Sequence, residues 1–217
     1  MIKTNSYSRI ASRGDGLETR AKIINCAGRL IAQHGFEATT SKLICSTAQV
    51  NMAAVNYHFG SRDGLYLAVL KEAHTYLMNL DLLTELENST VSVEEKISQL
   101  IDLYINSILR DNSWYVEVWA RELLQPSSFF KEVFQGEIVP KLNTVLRLFA
   151  SYLDISMDDQ RLYSCLFTTM SPFVMLYWGH RNPIQLQLTQ DIKYEDFLLS
   201  LKNLALSNLA NYRKQLQ

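Results

Sequence analysis

The sequence predicts an all-α protein: an N-terminal three-helix unit followed by a larger helical domain. Three observations carry that prediction. The 217 residues include only four prolines and eight glycines, too little punctuation for a strand-and-turn architecture. Apolar residues recur at helical spacing; Ile23, Ile24, Ala27, Leu30 and Ile31 fall at i, i+1, i+4, i+7 and i+8. Stop and cap residues follow in the order that helices require, with Gly35 before Thr39-Thr40, then Asn51, then Gly60 before Ser61.

Residues 1–16 are polar, contain Gly14 and Gly16 and show no periodicity, so they are expected to form a flexible arm. Residues 17–63 form the first unit. A helix begins at Leu17 and stops at His34-Gly35, and a short one after Thr40 carries Leu43, Ile44 and Ala48. Gln49-Val50-Asn51 interrupts, and Asn51 caps a second short helix ending at Phe59. Ser61 opens a long amphipathic helix carrying Leu65, Leu67, Ala68, Leu70, Ala73 and Leu77. Residues 64–217 form the larger domain, with helices expected near 92–111, 113–124, 127–136, 137–153, 158–180 and 193–214. Breaks are expected at Asn88-Ser89, Asp111-Asn112, Pro126, Gly136, Asp154 to Ser156 and Asn182-Pro183. Pro140 falls in a first helical turn, where its missing N–H costs little.

The net charge of −1 hides an asymmetry. Residues 1–75 hold nine Lys/Arg against five Asp/Glu, while 76–217 hold twelve against seventeen, which suits a polyanionic partner for the first part. Cys26, Cys45 and Cys165 are odd in number and lack metal-type spacing, so they read as small buried residues in a reducing compartment. The N-terminus has no apolar core of a signal peptide, and no apolar run reaches the roughly 20 residues of a membrane span. A soluble, cytoplasmic protein is expected. No nucleophile stands with a paired base, no Gly-rich loop suits phosphate, and the four histidines are scattered. Neither catalysis, cofactor nor metal is expected.

Two short helices joined by Gln49-Val50-Asn51, behind a longer supporting helix, have the lengths of a helix-turn-helix. In the second short helix Val55 and Phe59 are four apart and can face a core. That leaves Ala53, Ala54, Asn56, Tyr57 and His58 for a DNA groove and its backbone. The small alanines permit close approach to base edges. Arg62, opening the next helix, can meet a phosphate. Tyr57 and Phe59 can instead pack the small unit, and His58 can be an ordinary polar helix residue. Arg9 and Arg13 either enter a minor groove or stay solvated.

The order Arg20, Ile24, Ala27, Gly35, Phe36, Thr39, Thr40, Ile44, Ala48 and Val50, followed by the run Asn56-Tyr57-His58-Phe59-Gly60-Ser61-Arg62-Asp63-Gly64-Leu65, resembles the TetR/AcrR family of transcriptional regulators. The resemblance covers about a quarter of the chain. It implies that Thr40 and Ser41 contact phosphate, that Asn51, Met52, Ala53, Ala54 and Asn56 face bases, and that Tyr57, His58 and Arg62 hold the DNA backbone. Gln49 stands where that family usually has a turn glycine, and Asn56 where many members carry tyrosine. The implied function is a ligand-responsive homodimeric repressor binding double-stranded operator DNA.

The same resemblance implies that the larger domain binds a small-molecule effector and dimerises through the last two long helices. Segments 162–178 and 197–209 are apolar over wide arcs, which requires either a thick monomer core or a partner. Aromatic residues crowd 104–134. From them Tyr104, Trp114, Tyr115, Trp119, Arg121 and Phe130, together with Tyr177, are the candidate effector pocket. The alternative is an ordinary core with Arg121 and Glu122 as a structural ion pair. Arg121 to Pro126 followed by Phe129-Phe130 also resembles the CecR-like branch.

Overall fold

The computed structural model describes the backbone of residues 7–109, 114–179 and 193–216, and their side chains except at 7–15, 108–109, 176–179 and 194. Every regular element among the described residues is helical. Helix α1 (Tyr7–His34) buries Ile23, Ile24, Ala27, Ile31 and Ala32. Residues 7–16 of the expected arm continue this helix, and residues 1–6 lie outside the described residues. Once the packed part is nucleated, each further residue adds a hydrogen bond, and the two glycines cost only about 1 kcal/mol each. Gly35 ends α1 at φ 82°, its N–H donating to the Ile31 carbonyl at 2.8 Å.

Helix α2 (Ser41–Ala48) starts at Thr40, whose Oγ1 accepts the Leu43 N–H at 3.2 Å. Helix α3 (Met52–Phe59) starts at Asn51, whose Oδ1 accepts the Ala54 N–H at 2.8 Å. Between them Gln49 itself takes the left-handed conformation (φ 53°, ψ 46°) that closes α2. Helix α4 (Arg62–Leu77) is capped by Ser61 through the Gly64 N–H at 3.0 Å. Gly64 is sterically required, since a Cβ there would lie 2.0 Å from the Phe59 carbonyl oxygen.

Leu65, Tyr66, Val69, Leu70, Ala73, His74 and Leu77 form the buried stripe of α4, which packs on α1, α3 and, most extensively, α7. The chain breaks at Met78. Asn79 then caps a separate helix α5 (Leu80–Asn88), its Oδ1 accepting the Asp81 and Leu82 N–H groups at 2.8 and 3.2 Å. Neither glycine nor proline marks this break in the sequence. Helices α6 (Val93–Leu109) and α7 (Trp114–Leu124) follow; the expected Asp111-Asn112 break lies outside the described residues.

Gly136 does not break the chain. The expected 127–136 helix is reduced to α8 (Phe130–Val133), which passes through a single π turn (Phe134–Ile138) into α9 (Val139–Leu153). The wider turn absorbs an extra residue without ending the helix. Helix α9 carries Pro140 in its first turn and ends at Asp154, left-handed at φ 56°. It is buried over most of its circumference and packs on α5, α6, α10 (Gln160–Gly179) and α11 (Tyr194–Leu216). The Asn182-Pro183 break lies outside the described residues. One continuous core runs from Ile23 in α1 to Leu209 in α11. Among the described residues no helix is long and apolar enough to cross a membrane.

Candidate nucleic-acid interface and effector region

Helix α3 is held to the core by Val55, only 1% exposed, with Phe59 half-buried one turn later. The Arg20 guanidinium sits 5.4 Å from the Phe59 ring centroid and steadies that end from α1. Asn51, Met52, Ala53, Asn56 and Tyr57 are left exposed, while Ala54 and His58 are intermediate. Positions 52, 53, 56 and 57 follow the i, i+1, i+4, i+5 spacing of one helix face. Tyr57 is 85% exposed, so it does not pack the small unit; its ring meets its neighbour His58 edge-on at 5.0 Å.

Thr40 is exposed at the start of α2 and Ser41 is half-buried beside it. Thr40 Oγ1 accepts from Leu43 and keeps its hydroxyl proton for another acceptor. Lys42 is exposed in the same turn. Lys42 is absent from the residues expected to contact DNA, although a lysine in the first turn of a helix with free N–H groups is a signal legible in the sequence.

Arg62 is placed differently from the expectation. Its Nε donates to the Thr39 carbonyl at 3.1 Å, its Nη2 donates to the Phe36 carbonyl and lies 3.4 Å from the Glu37 carbonyl, and its guanidinium stacks 4.0 Å from the Phe36 ring centroid. The side chain clamps the α1–α2 loop to the start of α4. Geometry therefore supports a positioning role over a phosphate contact. Phe36 also stacks on Tyr66 at 4.1 Å, and the Tyr66 hydroxyl donates to Glu122 Oε2 at 2.7 Å.

In place of the alternative Arg121–Glu122 ion pair, Glu122 has other partners. Its carboxylate is buried and accepts from Tyr66, from the Ser127 N–H at 2.9 Å and from the Ser127 hydroxyl at 2.6 Å, whereas Arg121 is exposed. Burial, with the carboxylate beside it, pushes the Tyr66 hydroxyl well above the usual phenol range.

Among the described residues, the candidate effector side chains pack along several helix seams. Trp114 wedges against α1 at Gly28, where a Cβ would lie 2.3 Å from its ring, and its Nε1 donates to Asn25 Oδ1 at 2.9 Å. Tyr115 stacks on Tyr76 at 4.1 Å and 8°. Trp119 packs on His74 and Phe130, with centroid distances of 4.8 and 6.2 Å. These aromatics fill the seams of α7 with α1, α4 and α8. The side chain of Tyr177 lies outside the described residues. Of the six candidates whose side chains are described, Tyr104 alone lines the cavity of about 300 Å³ between the end of α4, the start of α5, and α6. Of the cysteines, Cys165 is buried, while Cys26 and Cys45 are half-buried rather than core.

His74 and Lys141 form a buried polar pair, Nδ1 to Nζ 2.9 Å, with Glu137 Oε2 3.6 Å from the ammonium. Burial first, and the Lys141 charge second, hold the imidazole down to about 3. His74 is thus neutral near pH 7 and accepts from Lys141. Among the described residues no group of three His, Cys, Asp or Glu side chains suits a metal.

Two family models match the chain. Residues 23–69 fit the tetR family of bacterial regulatory proteins, and residues 93–196 fit the C-terminal domain of the HTH-type transcriptional dual regulator CecR. The chain is 23% identical to that regulator from Shigella flexneri over 157 residues, 68% of this chain and 70% of that protein. Its fold is similar to the fatty acid degradation regulator FadR of Bacillus halodurans (19% identity, TM-score 0.62, 87% and 94% of the two chains). It is also similar to FadR of Bacillus subtilis, solved in complex with stearoyl-CoA (18% identity, TM-score 0.59, 87% and 96%). With its helix-turn-helix and its larger helical domain each matched, the chain belongs to the TetR family of bacterial transcriptional regulators and is CecR-like.

Proposed function

We propose that the protein is a ligand-responsive, homodimeric repressor that binds operator DNA in the cytoplasm and carries out no catalysis. The observation that carries this reading is α3, which Val55 anchors while Met52, Ala53, Asn56 and Tyr57 stay open along one face. Such a helix can enter a major groove without unfolding anything behind it. Thr40, Ser41 and Lys42 meet phosphate at the α2 N-terminus, Asn51 to Asn56 read base edges, and Tyr57 and His58 hold the backbone. Arg62 presents this surface without touching DNA itself. The proposed DNA-binding unit, 17–63, ends in the first turn of α4, and that helix continues into the effector domain.

Helices α10 and α11 supply the dimer face. Tyr163, Phe167 and Met175 on α10 and Leu199 and Leu204 on α11 are exposed, with Phe167 at 73%. A groove of about 350 Å³ between these helices, lined by Pro172 and Leu204, continues that surface. A two-fold partner would cover it and would set two α3 helices roughly 34 Å, or one DNA turn, apart. Electrophoretic shift against duplexes selected from a random pool tests the reading. Sequence-selective binding that weakens linearly with log salt is expected; salt-insensitive or unselective binding overturns it.

A further inference from the structure

We propose that the cavity between α4, α5 and α6 is the effector site and that it takes a small apolar amine. It rests on the regulator reading above and adds a location and a ligand chemistry. The cavity encloses about 300 Å³, at the small end of ligand pockets. Leu82, Leu103 and Tyr76 form apolar wall, and Thr75 and Asn106 add neutral polar groups. Glu72 is the single carboxylate, and no Lys, Arg or His lines the cavity among the described residues. No salt bridge engages Glu72 among those residues either. A lone carboxylate over an apolar wall favours a cationic head on an apolar body and disfavours carboxylates and phosphates.

The wall is wired to the DNA-binding unit. Tyr76 stacks face to face on Tyr115, Tyr115 lies 3.9 Å from Trp114, and Trp114 is locked into α1 by Asn25 and by the missing Cβ of Gly28. A ligand that displaces Tyr76 therefore pushes on α1 through three packed rings. Glu72 and Thr75 also line a second groove, facing Arg20, His58 and Phe59, so the same stretch of α4 borders both ligand and α3. Coupling needs only that the ligand favour a ring arrangement that suits DNA less well.

The test uses the full-length protein with three matched probes: 4-phenylbutylamine, 4-phenylbutanol and 4-phenylbutyrate. Calorimetry should rank the amine above the alcohol and the alcohol above the carboxylate. Glu72→Gln should weaken the amine about tenfold and leave the alcohol within twofold. Leu103→Trp should block all three; Thr75→Ile, at an exposed α4 position, narrows the same cavity should the first variant not fold. Saturating amine should lower affinity for a selected duplex at least threefold. In Tyr115→Leu that response should vanish while amine affinity stays within twofold. A preference for the carboxylate, full binding by the narrowed variants, or unchanged DNA affinity at saturation overturns the proposal. DNA binding by the probe-free wild type is scored separately, so failure of the regulator reading is distinguishable from failure of the site.

Discussion

At Gln49 the backbone adopts φ 53° between α2 and α3, a conformation that costs a residue bearing a Cβ about 1 kcal/mol. Gln49→Gly should raise stability by about 0.5–1 kcal/mol in thermal unfolding followed by circular dichroism. An unchanged midpoint would mean that the turn carries no strain. Arg62 shows the opposite kind of dependence. Its position at a helix start made a phosphate contact legible, but its acceptor partner Phe36 is 26 residues away in sequence. Arg62→Ala should destabilise the protein by about 1–3 kcal/mol while leaving the salt slope of DNA binding unchanged. A slope lowered by about one would return Arg62 to the DNA backbone.

Between elements, the seam of α1 with α7 depends on Gly28. A glycine inside a helical run signals a close approach, yet nothing in the sequence says that the approaching group is Trp114. Gly28→Ala places a Cβ 2.3 Å from that ring, so a loss of about 1–3 kcal/mol and a shifted tryptophan emission are expected. Emission and stability both equal to wild type would show that α7 can slide. The contact of α4 with α9 is polar instead. Unfolded His74 takes a proton near pH 6.5, whereas the folded one waits until about 3. In that window the unfolded state binds more protons, so stability falls as pH drops. Replacing His74 by Gln should flatten the fall by about 1.4 kcal/mol per pH unit, read from denaturation midpoints between pH 6 and 4. Identical slopes would place the imidazole proton elsewhere.

Across the whole molecule, the exposed apolar arcs on α10 and α11 bear on assembly. Their apolar periodicity in the sequence fitted a thick monomer core as well as it fitted a partner. In the structure Leu162, Phe173 and Leu198 go inward while Phe167 and Leu204 stay out, which favours the partner. Phe167→Glu should convert a dimer into a monomer in sedimentation and weaken operator binding, since two linked half-sites become one. A variant that still sediments as a dimer would move the interface elsewhere. The aromatic crowd at 104–134 taught the reverse lesson. Density along the chain suggests one pocket, whereas packing seats Trp114 against α1, Tyr115 against α4 and Trp119 in the α4–α8 seam.

What the sequence determined alone was local: helix starts at Thr40, Asn51 and Ser61, stops at Gly35 and Gly60, and the order of motif residues that marks a helix-turn-helix. Each depends on backbone chemistry within four residues, which any reader of the chain can apply. Tertiary structure decided what those rules cannot reach: that Arg62 serves the α1–α2 loop, that Glu122 is shared by Tyr66 and Ser127, and that a cavity opens between Tyr104 and Tyr76. Such partners lie many residues apart, so only the packing of α4 against α1, α6 and α7 brings them within contact distance.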